Sequence, residues 1–190
     1  THAIGDAAIE FVVGMYEEFN RDFPKSIRRI EHLGLPEKKH LETMAGAGIS
    51  ASMQSIFLSE LGKNFIRYLD KEYLSRCYPV KSVIDHGILT ALSSDAPVVN
   101  NFNPFKGVYA AVSRKDDQGN SIAADEAISA AMAMKLYTSN AASISGVNTF
   151  GSLRDGLLAD FIVVDKNPLE LNVADLASVQ VKQTWVNGQL

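Results

Sequence analysis

The chain has 190 residues, a mass of 20.7 kDa and a formal charge of −4, with 46% apolar and 21% charged residues. That is the composition of a folded domain with room for a sizeable core, and it argues against intrinsic disorder. No basic stretch forms a nucleic-acid footprint, the single Cys77 rules out an internal disulfide or a thiolate-rich metal site, and no apolar run reaches the length of a membrane span.

The chain opens Thr1-His2-Ala3-Ile4-Gly5-Asp6, without an initiator Met or a signal peptide. The opening reads as the end of a strand, so the expectation is a piece of a longer, cytoplasmic protein. Asp6 is placed to cap a helix to about Phe19, with Ile9, Val12, Val13 and Tyr16 at helical spacing. Ile27 to His32 reads as a strand. Pro36 opens a helix to about Ala45, closed by Gly46 and Gly48. Ile49 to Gln54 is a short strand, and Ser55 to Pro79, interrupted by Gly62, reads as a long loop with helical turns.

Pro79 to His86 is the next helix, with Gly87 after its end, and Ile88 to Asp95 is the cleanest strand, stopped by Pro97. A helix follows from Asn103-Pro104 to about Ser113, then a polar turn from Arg114 to Asn120. Ala123 to Ser145, rich in Ala and Met, predicts one long helix or two abutting ones. Phe161 to Asp165 and Val179 to Val186 are strands, with Asn187-Gly188 as a hairpin turn. Strand–helix alternation thus gives way to strands and turns near Gly146 to Gly151. The pattern predicts an α/β protein with parallel βα units over residues 1–146 and a β-rich segment over 147–190.

His2, His32 and Asp95 each fall at the C-terminal end of a predicted strand, at spacings that fit successive βα units. Parallel strands bring such residues to one rim, where α/β barrels hold their active sites. Two imidazoles and a carboxylate suit zinc, iron or manganese. A divalent ion there lowers the pKa of a water, and Asp95 is placed both to hold the ion and to take the proton. Structural roles compete: a core or terminal histidine for His2 and His32, and an Asx turn for Asp95. The remaining candidates read structurally. His40 is solvent-exposed in mid-helix, His86 faces the last carbonyls of its helix, and Met44, Met132 and Met134 fill the core. Cys77 is a small buried hydrophobe.

The segments His2-Ala3-Ile4-Gly5-Asp6, Arg29-Ile30-Glu31-His32 and Ser94-Asp95-Ala96-Pro97 resemble, in this order, the YtcJ-like or family 3 branch of the metal-dependent amidohydrolases. So do Gly151-Ser152-Leu153, Gly156 through Asp165, Asn167-Pro168 and Thr184-Trp185-Val186-Asn187-Gly188. The resemblance covers nearly all of the chain. It implies the C-terminal half of a TIM-type (β/α)8 barrel, strands 5 to 8, with a small β-sandwich tail segment.

Carried over residue by residue, it implies metal ligands at His2 (strand 5), His32 (strand 6) and Asp95 (strand 8), the last also moving the catalytic proton. The implied reaction is hydrolysis of an amide or related C–N bond in a small substrate, such as an N-substituted formamide, with a divalent metal, zinc above all. Family features missing from these residues are the strand 1 His-x-His pair, the strand 4 ligand, and the Gln-Pro-histidine pattern near strand 7. Here Gln54 is followed by Ser55-Ile56-Phe57. The expectation is therefore weak metal binding by these residues alone and no turnover without the missing N-terminal half. Self-association, or that half, would cover the exposed strand edges. The alternative is a non-catalytic α/β structural or interaction domain derived from such an enzyme. No nucleic-acid or membrane partner is expected.

Overall fold

A computed structural model describes residues 1–24 and 26–190. Four strands, β1 (His2–Ala3), β2 (Arg29–His32), β3 (Ser50–Met53) and β4 (Thr90–Leu92), form one parallel sheet in the order β1-β2-β3-β4. The register pairs Ala3 with His32, Glu31 with Ser52, and Met53 with Leu92, so the strand ends keep step along one edge of the sheet. The predicted parallel α/β class holds.

One face of the sheet is the core. Ala3, Ile30, Ala51 and Met53 lie fully buried among side chains of α1 (Asp6–Asp22), α2 (Lys38–Ala47) and α3 (Ile56–Tyr68). Ile9, Val12 and Val13 of α1 and Leu41 and Met44 of α2 supply the helical layer. Each such side chain contributes roughly 1.5–3 kcal/mol by leaving water. The other face is polar at β2, where Arg29 and Glu31 alternate with Ile30 and form an ion pair.

Two local expectations fail for tertiary reasons. The stretch after Ser55 is a regular helix, α3, followed by α4 (Lys71–Ser75), rather than a loop. Ile56, Phe57 and Leu58 are buried there, with Leu61 and Phe65 packed on the same core. Gly62 does not break the helix. A Cβ at that position would stand 2.6 Å from the Asp116 Cβ and 2.7 Å from Ile122 Cδ1, so the glycine admits a neighbouring hairpin. Asp6 is not the N-cap either. Gly5 takes that place, and the Asp6 carboxylate accepts from Tyr73 Oη at 2.6 Å.

After α5 (Val80–Asp85) and β4 the chain forms α6 (Pro104–Ser113), with the Asn103 side chain capping Phe105 N–H. The span expected to be one long helix or two abutting ones is a 3-10 turn (Ala124–Glu126) followed by two abutting helices, α7 (Ala130–Tyr137) and α8 (Ser139–Ile144). Ser129 caps α7, and Glu126 accepts from Ser82 N–H and Oγ–H, tying this segment to α5. Arg114, fully buried at the end of α6, donates to the carbonyls of Cys77, Tyr78, Ile122 and Ala123. Burial lowers its guanidinium pKa to about 10. In the tail, β5 (Phe161–Val164) and β6 (Val181–Trp185) pair antiparallel. Asn187 and Gly188, both at positive φ, make the expected tight turn. No helix among the described residues is long and apolar enough to cross a membrane.

Candidate metal centre

Parallel register brings the predicted residues to one rim. His2 lies on β1, His32 ends β2, Gln54 follows β3, and Asp95 stands three residues beyond β4. All four line a single cleft of about 560 Å³ on the polar face of the sheet. Arg29 and Glu31 form its wall, while Ala141 and Ile144 of α8 close its floor.

The two imidazoles meet edge to face, ring centroids 4.4 Å apart at 73°. His32 is buried and His2 exposed. The His32 ring stacks against Phe57 at 6.1 Å, and its Nδ1 lies 2.8 Å from Gln54 Oε1. Gln54 Nε2 donates to the Ser52 carbonyl and to Ser93 Oγ, which leaves Oε1 as the acceptor for His32. The network therefore assigns the proton to Nδ1 and leaves the Nε2 lone pair free. That is how a metal-binding histidine is prepared by its outer partner.

His32 and Asp95 also share a backbone feature, with φ of 77° and 56°. Positive φ is uncommon for residues with a Cβ and persists only where the surroundings impose it. Around His32 they do: Leu33 N–H donates to Ala3 O, Leu35 N–H to Ile4 O, and Tyr78 N–H to Gly34 O. The Asp95 carboxylate makes no hydrogen bond to the described residues and is half-buried. The donor set suits a borderline divalent cation, with two imidazoles in contact and a free carboxylate on the same cleft. Among the described residues, however, no three His, Cys, Asp or Glu side chains gather closely enough to enclose a metal ion. His2 and His32 are brought together, and Asp95 shares only their cleft.

The other candidates resolve structurally. His86 Nδ1 bonds the Ser82 carbonyl at 2.7 Å, at the end of its helix as expected. Met44 is buried, and Met132 and Met134 pack on the core. Cys77 is buried, and desolvation pushes its thiol up to about 12, so it is no nucleophile. His40 is not exposed: it is 3% accessible, and its Nδ1 accepts from Glu37 N–H in the capping box of α2. Sequence reasoning missed the part played by Gln54. Its position one strand along the rim from His32 was the available signal. A larger cleft of about 890 Å³ between α8 and the β5–β6 pair has apolar walls, including Phe105, Met134, Phe161 and Trp185, and carries no imidazole.

The amidohydrolase family matches residues 1–190. The chain is 31% identical over 193 residues to an N-substituted formamide deformylase of Arthrobacter pascens, covering all of this chain and 35% of the relative. It is 32% identical over 195 residues to the protein YtcJ of Bacillus subtilis (strain 168), covering all of this chain and 36% of that one. Among solved structures it is similar to an uncharacterized metal-dependent hydrolase from Pyrococcus horikoshii OT3. The TM-score is 0.79 with 26% identity, over 91% of this chain and 35% of the other. A second such hydrolase, from Pyrococcus furiosus, gives a TM-score of 0.74 with 26% identity, over 89% and 33% of the two chains. The chain thus spans about a third of the length of these relatives.

Proposed function

The chain belongs to the amidohydrolase family, and from that premise we propose that its rim cleft is part of a metal-dependent site hydrolysing an amide or related C–N bond. The supporting observation is the His2–His32 contact at 4.4 Å, with His32 Nε2 left unbonded by the Gln54 interaction. His2, His32 and Asp95 would hold a divalent cation, most suitably zinc. Such an ion supplies an acidified water and a polarised carbonyl.

The chain's own residues do the rest. The Asp95 carboxylate, free of other bonds, takes the proton of the attacking water. It returns that proton to the leaving nitrogen, so that amide and water become acid and amine. Gln54 keeps His32 in one tautomer and one orientation. Arg29 and Glu31, paired across the cleft wall, neutralise each other and leave the net charge of the cleft to Asp95. Residues 1–146 carry this site, and 147–190 form an accessory β-rich segment. Small amides, N-substituted formamides among them, are the substrate class in keeping with a relative's activity.

Zinc titration by calorimetry at neutral pH tests the reading. The expected result is one weak site per chain, with a Kd above about 1 μM, lost in His32→Ala. No zinc binding at millimolar concentration, or binding indifferent to His32→Ala, would favour the non-catalytic interaction domain instead.

A further inference from the structure

The stretch from Tyr73 in α4 to Tyr78, just before α5, clasps the loops that carry the two imidazoles. Tyr73 Oη donates to the carboxylate of Asp6, at the start of α1, at 2.6 Å. Arg76 Nη1 donates to Leu35 O, in the loop after β2, at 2.7 Å. Tyr78 N–H donates to Gly34 O in the same loop, also at 2.7 Å and only two residues beyond His32. Tyr78 is 2% accessible, enclosed by residues of this chain.

Tyr78 reaches His32 by two routes. The first is the backbone. His32, Leu33 and Tyr78 have φ of 77°, 48° and 48°, a conformation that residues with a Cβ keep only where the surroundings impose it. The bond from Tyr78 to Gly34 joins these two turns, and Arg114 fixes Tyr78 from the other side by donating to Tyr78 O and Cys77 O. Gly34 makes room for the approach: a Cβ there would stand 2.9 Å from Ile4 Cγ2 and 3.3 Å from Tyr78 Cζ. The second route is a row of rings. Phe57 stacks on His32 at 6.1 Å and 20°, and Tyr78 meets Phe57 edge to face at 5.8 Å and 74°. Phe65 lies against Tyr78 in turn, at 5.8 Å. The Tyr78 hydroxyl makes no hydrogen bond to the described residues, and burial pushes the phenol above its ordinary value. The ring, not the hydroxyl, supplies the contact.

We propose that Tyr78 is a positioning residue for His32: its ring, through Phe57, and its N–H, through Gly34, hold the imidazole where Gln54 can fix the tautomer. Gln54 bonds the edge of the His32 ring, and the aromatic row supplies a wall across its face. An imidazole without that wall can swing, and a hydrogen bond weakens steeply as its angle opens. Ligand side chains keep a productive geometry only where packing and outer hydrogen bonds lock them together. The catalytic meaning of this role rests on the reading of His32 as a metal ligand; its geometry does not.

Nitrogen NMR of the histidine rings, recorded without metal, tests it. The wild type should show His32 as one neutral tautomer with its proton on Nδ1. Tyr78→Leu should give mixed protonation as the Gln54 bond loosens, and Tyr78→Phe, which keeps the ring, should restore the wild-type spectrum. Leu176→Ala, a buried truncation in the 3-10 turn Val173–Ser178 that packs on α6, should leave the His32 signals unchanged although it destabilises the fold. Zinc affinity should fall at least about tenfold in Tyr78→Leu and recover in Tyr78→Phe. A wild-type ring spectrum in Tyr78→Leu, a loss that Tyr78→Phe does not restore, or the same change in Leu176→Ala would overturn the proposal. If Tyr78→Leu does not fold, Tyr78→Met takes its place under the same criteria, since the flexible thioether fills irregular gaps. Absence of zinc binding by the wild type counts against the metal-site reading alone, and the ring spectrum still decides the role of Tyr78.

Discussion

His32 Nδ1 and Gln54 Oε1 stand 2.8 Å apart, and this one bond decides which nitrogen of His32 faces the cleft. Gln54 is itself fixed by Ser52 of β3 and by Ser93, the residue just beyond β4. Replacing Gln54 with Met should remove the tautomer preference, seen by nitrogen NMR as mixed protonation of the His32 ring. Zinc affinity should fall roughly 10–100-fold, the usual cost of losing an outer partner of a ligand. An unchanged ring spectrum would show that Gln54 does not orient it.

Asp95→Asn should separate chemistry from folding. The side chain is half-buried and makes no hydrogen bond to the described residues, and Asn tolerates the φ of 56° found there. The thermal midpoint should therefore change little. On the function proposed above, hydrolysis of a small amide should fall at least about 100-fold, in line with the loss of a general base. Near-wild-type turnover would remove Asp95 from the proton path.

Stability should fall on the acid side because of His40. Burial holds its pKa below the ordinary 6.5, partly opposed by Glu37 of its own helix and by Glu10 and Asp6 of α1, with Lys39 adding to the lowering. Its Nδ1 already accepts from Glu37 N–H, so protonation would cost that bond as well. The unfolded chain takes the proton first. The stabilising contribution is therefore complete above pH 6.5 and is lost as pH falls through the lower folded value. Urea midpoints should drop as the pH is lowered below about 6.5, and His40→Gln should flatten that slope.

The failure to place His40 from the sequence has a physical origin. Lys38, Lys39 and Glu42 surround it, and that local charge describes the outer face of α2. Its burial comes from α1, nearly thirty residues earlier. Gly62 misleads in the same way: read locally it breaks a helix, yet Asp116 and Ile122 explain it. By contrast, α6 was legible to the residue, because Asn103 and Pro104 are local start signals. The rim was legible for His2, His32 and Asp95 because strand ends share one level. The Gln54 bond depends on which strand lies beside which, and that order is a tertiary fact.

Arg114→Met should cost about 3 kcal/mol or more in chemical denaturation. It leaves the buried Cys77 and Ile122 carbonyls without the donor that serves them at 2.7 and 3.1 Å, and takes one of two donors from the carbonyls of Tyr78 and Ala123, which keep Val80 N–H and Glu126 N–H. Arg114→Lys should recover only part of that loss, because an ammonium lacks the planar fork.

The same carbonyl cluster gives Cys77 a second meaning. It is the only thiol in the chain, it is fully buried, and its proton is held up to about 12. An alkylating reagent at neutral pH has nothing to attack until the segment pinned by Arg114 lifts away. The rate of labelling at Cys77 is therefore a clock for the opening of this one seam, readable by mass spectrometry without adding any probe to the protein.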